Sequence, residues 1–251
     1  MSEFLKGKVA LVTGASRGLG KAMAVALARE GVRVALVARD RAKLEETASE
    51  IGAAGGETVV FTADLTVEAD VLRLEQEVKA ALGPVQILIN NAGVNLRKPV
   101  TEFTLQEWRG VMDANLTSVF LMCRAFVPQM KGTGYGRIIN MTSIMSHVSL
   151  PERTAYSASK AGLLGFTRAL AMELAGEGVT VVGISPGPFA TEMNAALMND
   201  PDKNRMFLER IPVHQWGQVE DIGALAVFLC GEQARFVTGT DIVIDGGWLA
   251  Q

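Results

Sequence analysis

The chain has 251 residues, is 49% apolar, and carries 24 basic against 27 acidic side chains for a net charge of −3. That composition excludes general disorder and gives no electrostatic reason to expect nucleic-acid binding. The length suits one α/β domain with a large core.

The first element, residues 8–12 (Lys8-Val9-Ala10-Leu11-Val12), reads as a buried parallel strand. A glycine-rich turn follows, Thr13-Gly14-Ala15-Ser16-Arg17-Gly18-Leu19-Gly20, and residues 21–30 read as a helix ending at Gly31. Glycines between a strand and a helix let the backbone approach a pyrophosphate, and the free amides of the helix start bind its charge. The spacing Gly14, Gly18, Gly20 departs from the general GxGxxG fingerprint. Residues 33–37 are a strand and 41–53 a helix, separated by Ala38-Arg39-Asp40. A strand at 58–62 leads through Asp64-Leu65-Thr66 into a helix at 67–82, stopped by Gly83-Pro84. The fourth strand, 85–89, ends in Asn90-Asn91-Ala92-Gly93.

Residues 105–130 read as one long helix containing Asn115, with Pro128 in its last turn. A strand at 137–141 precedes Ser143, and a helix at 154–175 carries Tyr156 and Lys160. The sixth strand, 179–184, opens into Pro186-Gly187-Pro188; a helix at 219–229 and a strand at 241–244 complete the chain. This alternation predicts a Rossmann-like, doubly wound parallel sheet in three αβα layers, a single domain over 1–251 with neither linker nor repeat. No apolar run approaches a membrane span, and Met1-Ser2-Glu3-Phe4-Leu5-Lys6 lacks a signal-peptide apolar region. Cys123 and Cys230 read as free core thiols, not a bridge or metal site, so a cytoplasmic protein without a metal is expected.

Tyr156 and Lys160 stand four residues apart and share a helix face. A free tyrosine has a pKa of about 10, and a neighbouring cation lowers it. Such a phenol donates a proton to a developing alkoxide or takes one from an alcohol. Cofactor choice rests on three positions. Arg17 and Arg39 suit the 2′-phosphate of NADP, which is the favoured reading. Asp40 is the alternative: shifted by one residue, its carboxylate would accept from a ribose and favour NAD.

The glycine turn, Asn90-Asn91-Ala92-Gly93, Asn115 and Ser143…Tyr156…Lys160, in this order, resemble a short-chain dehydrogenase/reductase across residues 5–248. The resemblance implies a hydride transfer between nicotinamide and a carbonyl or secondary alcohol. It implies that Ser143 polarises the substrate oxygen, that Tyr156 transfers the proton, that Lys160 lowers the tyrosine pKa and holds the nicotinamide ribose, and that Asn115 holds a water that resupplies the proton. It assigns Gly14, Ser16, Arg17, Gly18, Leu19, Gly20, Arg39, Asp64, Leu65, Asn91, Ala92, Gly93, Pro186, Gly187 and Thr191 to the dinucleotide. Two of these assignments have local alternatives: Asp64 as a helix N-cap, and Asn115 as a buried amide bonded to backbone.

The substrate pocket is expected from residues 94–99, 144–153 and 189–206, with Asn95, Arg97, His147 and Arg153 as candidate contacts and Arg205 nearby. The stretches 91–99, Arg210-Ile211-Pro212…Trp216-Gly217 and 245–250 resemble the sugar-acid branch, gluconate 5-dehydrogenases and deoxygluconate dehydrogenases. The rival is a 3-oxoacyl-carrier-protein reductase, and a rival of another class is a dinucleotide-binding sensor without catalysis. Apolar residues around 161–172, with Val119, Phe120, Met122 and Phe126, call for a partner surface. In the family the two helices carrying them pair in homotetramers or dimers.

Overall fold

The computed structural model describes residues 3–251, so Met1 and Ser2 of the N-terminal segment lie outside the described residues. Seven strands, β1 (Val9–Thr13), β2 (Arg33–Ala38), β3 (Thr58–Thr62), β4 (Ile87–Asn90), β5 (Gly136–Met141), β6 (Val179–Pro186) and β7 (Asp241–Ile244), form one sheet in the order β3-β2-β1-β4-β5-β6-β7. Every pairing is parallel. Among the described residues the α-helices are α1 (Gly18–Arg29), α2 (Arg41–Ala53), α3 (Glu68–Leu82), α4 (Leu105–Met112), α5 (Ser118–Phe126), α6 (Thr154–Leu174), α7 (Ala195–Met198), α8 (Pro201–Arg210) and α9 (Val219–Cys230).

Successive strand side chains point to opposite faces, and the two cores follow that period of two. From β1, Ala10 and Val12 join a core with Met23 and Leu27 of α1, Leu44 of α2 and Ile222 and Ala226 of α9. Val9 and Leu11 join the opposite core with Leu74 and Val78 of α3, Met122 and Phe126 of α5 and Leu163 of α6. Central strands buried on both faces therefore need continuous apolar sequence, which is what makes them legible as parallel. Removing a large central side chain such as the fully buried Phe126 costs on the order of 3–5 kcal/mol.

The expected helix at 105–130 is not uniform. A capping box between Thr104 and Glu107 starts α4, a π-turn spans Asp113–Thr117, α5 follows, and a 3-10 turn at Val127–Gln129 closes the run around Pro128. The continuous stretch Leu105–Gln129 reaches a mean hydropathy of 1.2 over its most apolar window, and by length and composition it is long enough to cross a membrane. This corrects the expectation that nothing in the chain approaches a span; here half of that window is buried within the fold. The expected partner surface also narrows. Val119, Met122 and Phe126 are buried in this chain's own core, whereas Phe120 is 44% and Met172 79% exposed. Two helices unforeseen in the sequence, α7 and α8, lie between β6 and α9; Asp200 caps α8 by accepting from the amides of Asp202 and Lys203, with Pro201 at its first turn.

Candidate active site

The sheet order reverses between β1 and β4, so the loops leaving these neighbours diverge and open a crevice at their carboxyl ends. One threonine ties the crevice floor together. The Thr13 hydroxyl donates to Ile89 O at 3.2 Å and accepts from the amides of Asn91 and Ala92 at 2.9 and 3.0 Å. The Asn91 side-chain amide returns to Thr13 O and Gly14 O at 2.9 and 3.2 Å. Gly14 and Gly18 have φ of +64° and +54°, where a side chain is strained. A Cβ on Gly14 would lie 2.7 Å from Asn91 Nδ2, and one on Gly20 would collide with the Gly14 carbonyl. Above Gly18 the nearest side chain, Thr191, stays 3.8 Å from where a Cβ would stand. The turn is thus a bare backbone cradle, and it fits a pyrophosphate at the start of α1.

A cavity of about 710 Å³ runs from this cradle across the ends of the strands. All but three of the sequence-predicted site residues line it; the exceptions are Gly20, Asn115 and His147. Gly20 acts beneath the turn, as its close approach to Gly14 shows. His147, expected among the substrate contacts, lies outside this lining. Its Nε2 lies 2.7 Å from Asp241 Oδ2, and that carboxylate, 4% exposed, also accepts from Thr142 and Ser185. A buried carboxylate needs donors, and the imidazole supplies one. Arg205 also falls away from the expected pocket: it pairs at the surface with Asp202 at 2.8 Å.

Ser143, Tyr156 and Lys160 converge on the cavity. Ser143 caps a short 3-10 turn, its hydroxyl accepting from the Met145 amide at 3.1 Å, and the same hydroxyl favours the ionised Tyr156 phenol. The Lys160 ammonium donates to Met141 O at 2.6 Å and lies 5.7 Å from the centre of the Tyr156 ring. Burial dominates the charges of both. It pushes Tyr156 up from its ordinary value, with the Ser143 hydrogen bond and the Arg153 charge opposing. Burial also brings Lys160 down to about 8. Desolvation disfavours charge on phenol and amine alike, and the charge that opposes it at Tyr156 is that of Arg153.

Asn115 is fully buried within the π-turn. Its Oδ1 accepts from Val94 N at 2.8 Å, and its Nδ2 donates to Val94 O and Ser159 Oγ at 2.9 and 3.0 Å. The side chain thus holds the loop after β4 against α6. Gly93 completes the contact, since a Cβ there would meet Asn115 Oδ1 at 3.0 Å and Lys160 Nζ at 3.7 Å.

At the far end, Asp40 accepts from the Lys43 amide at 3.2 Å as the N-cap of α2. Arg39 is exposed beside Asp64, whose carboxyl is held low chiefly by hydrogen bonds from Thr66 and further by the Arg39 charge. Arg17 instead reaches across to Glu192 at 3.1 Å. Sequence reasoning missed Lys43, which lines the same end, and the aromatic wall of Phe207 and Trp248, whose rings lie 5.6 Å apart. A basic residue three past an N-cap carries no distinctive pattern; the Asp200-Pro201 start of the helix bearing Phe207 does.

Comparison with known proteins agrees with this geometry. The family model described as Enoyl-(Acyl carrier protein) reductase matches residues 14–249. Gluconate 5-dehydrogenase of Gluconobacter oxydans is 36% identical over 243 residues, 97% of this chain and 95% of that protein. The 3-oxoacyl-[acyl-carrier-protein] reductase of Staphylococcus epidermidis is 39% identical over 241 residues, covering 96% and 98%. A gluconate 5-dehydrogenase from Burkholderia cenocepacia, solved in complex with NADP and tartrate, superposes with a TM-score of 0.93 at 32% identity, covering 98% of this chain and 96% of that one. With the doubly wound sheet, the glycine cradle and the serine, tyrosine and lysine gathered at one cavity, the chain belongs to the short-chain dehydrogenase/reductase family of oxidoreductases.

Proposed function

We propose that this protein is an NADP(H)-preferring dehydrogenase interconverting a secondary alcohol and a ketone on a sugar acid or polyol. The observation that carries the reading is one cavity joining the Gly14–Gly20 cradle to Ser143, Tyr156 and Lys160. NADP, when bound, supplies the hydride acceptor for oxidation. The glycine turn would hold its pyrophosphate, Arg39 and Lys43 its 2′-phosphate, and Lys160 its nicotinamide ribose. Two observations support the 2′-phosphate over a bare ribose: Asp40 is engaged as the α2 cap, and Arg39 and Lys43 both line that end. The structure of the Burkholderia relative, with its NADP, is consistent with this choice.

In the proposed reaction Ser143 donates a hydrogen bond to the substrate oxygen. Tyr156, once deprotonated, takes the hydroxyl proton during oxidation and returns it during reduction. Asn115 acts by position, fixing the loop at Val94 and the α6 backbone through Ser159. The exposed Phe120 and Met172 support self-association as a homotetramer or dimer, and the two unbridged, buried cysteines suit a cytoplasmic location.

A second reading, 3-oxoacyl-carrier-protein reduction, draws support from the Staphylococcus relative. Initial rates with gluconate and NADP, 5-ketogluconate and NADPH, and acetoacetyl thioesters and NADPH separate the two. Turnover of the sugar acid is expected. Preference for the thioester favours the second reading, and cofactor binding without any turnover favours a sensor.

A further inference from the structure

Beyond Ser143 and Tyr156 the cavity is lined by polar residues that the proton transfer does not use. Arg153 is only 9% exposed, lines the cavity, and leaves Nη1 without a hydrogen-bond partner. A buried guanidinium nitrogen without an acceptor is costly, and such a group calls for a partner, whether a ligand, an ion or an ordered water. Arg97 lines the same wall, and its charge bears on Arg153. Glu152 and Tyr156 act on Arg153 in the opposite sense, yet burial remains the largest influence.

The backbone enforces this juxtaposition of like charges. The Lys98 amide donates to Glu152 O at 3.1 Å, stapling the loop after β4 to the residue before Arg153. Glu152 itself sits at φ +66°, a left-handed conformation costing a non-glycine residue about 1–2 kcal/mol. Asn95 adds a second orphan, a buried Oδ1 without a donor, and Trp248, 4% exposed, a third, an indole N–H without an acceptor. Both line the cavity.

From these positions we infer that Arg153 and Arg97 form a carboxylate clamp, with Asn95 accepting from a neighbouring substrate hydroxyl, so that the substrate is a hydroxy acid held by its acid end. The inference rests on the dehydrogenase reading above and narrows it from polyols to acids. A guanidinium fork matches the two oxygens of a carboxylate, whereas an acyl thioester chain would leave Arg153 Nη1 and Asn95 Oδ1 unpaired.

The test measures kcat/KM with NADP for D-gluconate and for D-glucitol, the alditol of the same configuration, in the wild type, Arg97→Met, Arg153→Met and Arg153→Lys. The clamp predicts that the wild type prefers the acid. It further predicts that each Met variant lowers the acid-over-alditol ratio roughly 10- to 100-fold, chiefly through KM, as expected for hydrogen bonds to a charged group. Arg153→Lys should retain part of the preference. Arg97 is exposed, so its variant reports even where loss of the buried Arg153 impairs folding. A wild type that prefers the acid, with that ratio unchanged in Arg97→Met and in any folded Arg153 variant, overturns the clamp and leaves the dehydrogenase reading standing. A wild type that prefers the alditol or a thioester overturns the assignment of the acid as well.

Discussion

At Tyr156 two effects of opposite sign meet on one phenol: burial raises its pKa, and Ser143 and Arg153 lower it. In the proposed mechanism oxidation needs the phenolate, so the pH giving half-maximal oxidation is expected to track this pKa. Arg153→Met removes a cation that favours the phenolate, and the midpoint of the kcat profile for alcohol oxidation should move to higher pH; an unmoved midpoint refutes the electrostatic link. Tyr156→Phe should reduce turnover by roughly 10²–10⁴-fold while NADP binding, followed by fluorescence, persists. Lys160 yields a stability prediction. Its folded pKa of about 8 lies below the ordinary 10.5. Between those values the unfolded chain still holds the proton that the folded chain has released, so this group's contribution to stability grows as pH rises, by at most about 3 kcal/mol. Chemical denaturation from pH 7.5 to 10.5 should show that rise relative to Lys160→Met; a constant difference between the two proteins counts against it. Arg39→Asp should invert cofactor preference, raising KM for NADP roughly tenfold or more and lowering that for NAD, because Asp40 is held by the helix cap and leaves the choice to position 39.

Among the elements, the parallel strands were readable because both of their faces are apolar, and the glycine turn because it stands between a strand and a helix. The π-turn at Asp113–Thr117 was not readable. Its cause lies outside the helix, in the bonds from Asn115 to Val94 and Ser159, which come from distant sequence. The same long-range origin hid the contact of His147 with Asp241, which lies 94 residues away. Gly20 shows the reverse case, a role fixed by local packing. Gly20→Ala drives a methyl group into the Gly14 carbonyl and should destabilise the fold by roughly 1–3 kcal/mol. A thermal melt with and without NADP reports both the lost stability and the weaker ligand-induced shift; an unchanged melt speaks against the close approach.

For the molecule as a whole, the parallel sheet, its layering and the position of the crevice followed from the alternation of strands and helices, whereas the strand order came only with the structure. The proposed self-association surface was harder to read, because an apolar residue on a helix looks the same whether it meets its own sheet or a second chain. The structure separates the two groups, leaving Phe120 and Met172 outside the core. Phe120→Glu combined with Met172→Glu should shift the sedimentation coefficient from that of an assembly towards that of a monomer while leaving the far-ultraviolet circular dichroism unchanged. A wild type that already sediments as a monomer removes the need for a partner surface.

The hydrogen bond from the Lys98 amide to Glu152 O joins two stretches more than fifty residues apart in the chain. Anyone grafting a new selectivity onto this scaffold would have to exchange both stretches together, since a transplanted loop lacking its opposite number would lose the anchor that orients it. Divergence of substrate choice in such enzymes would then proceed by correlated change in two distant segments, with the hydride-transfer machinery between them left intact.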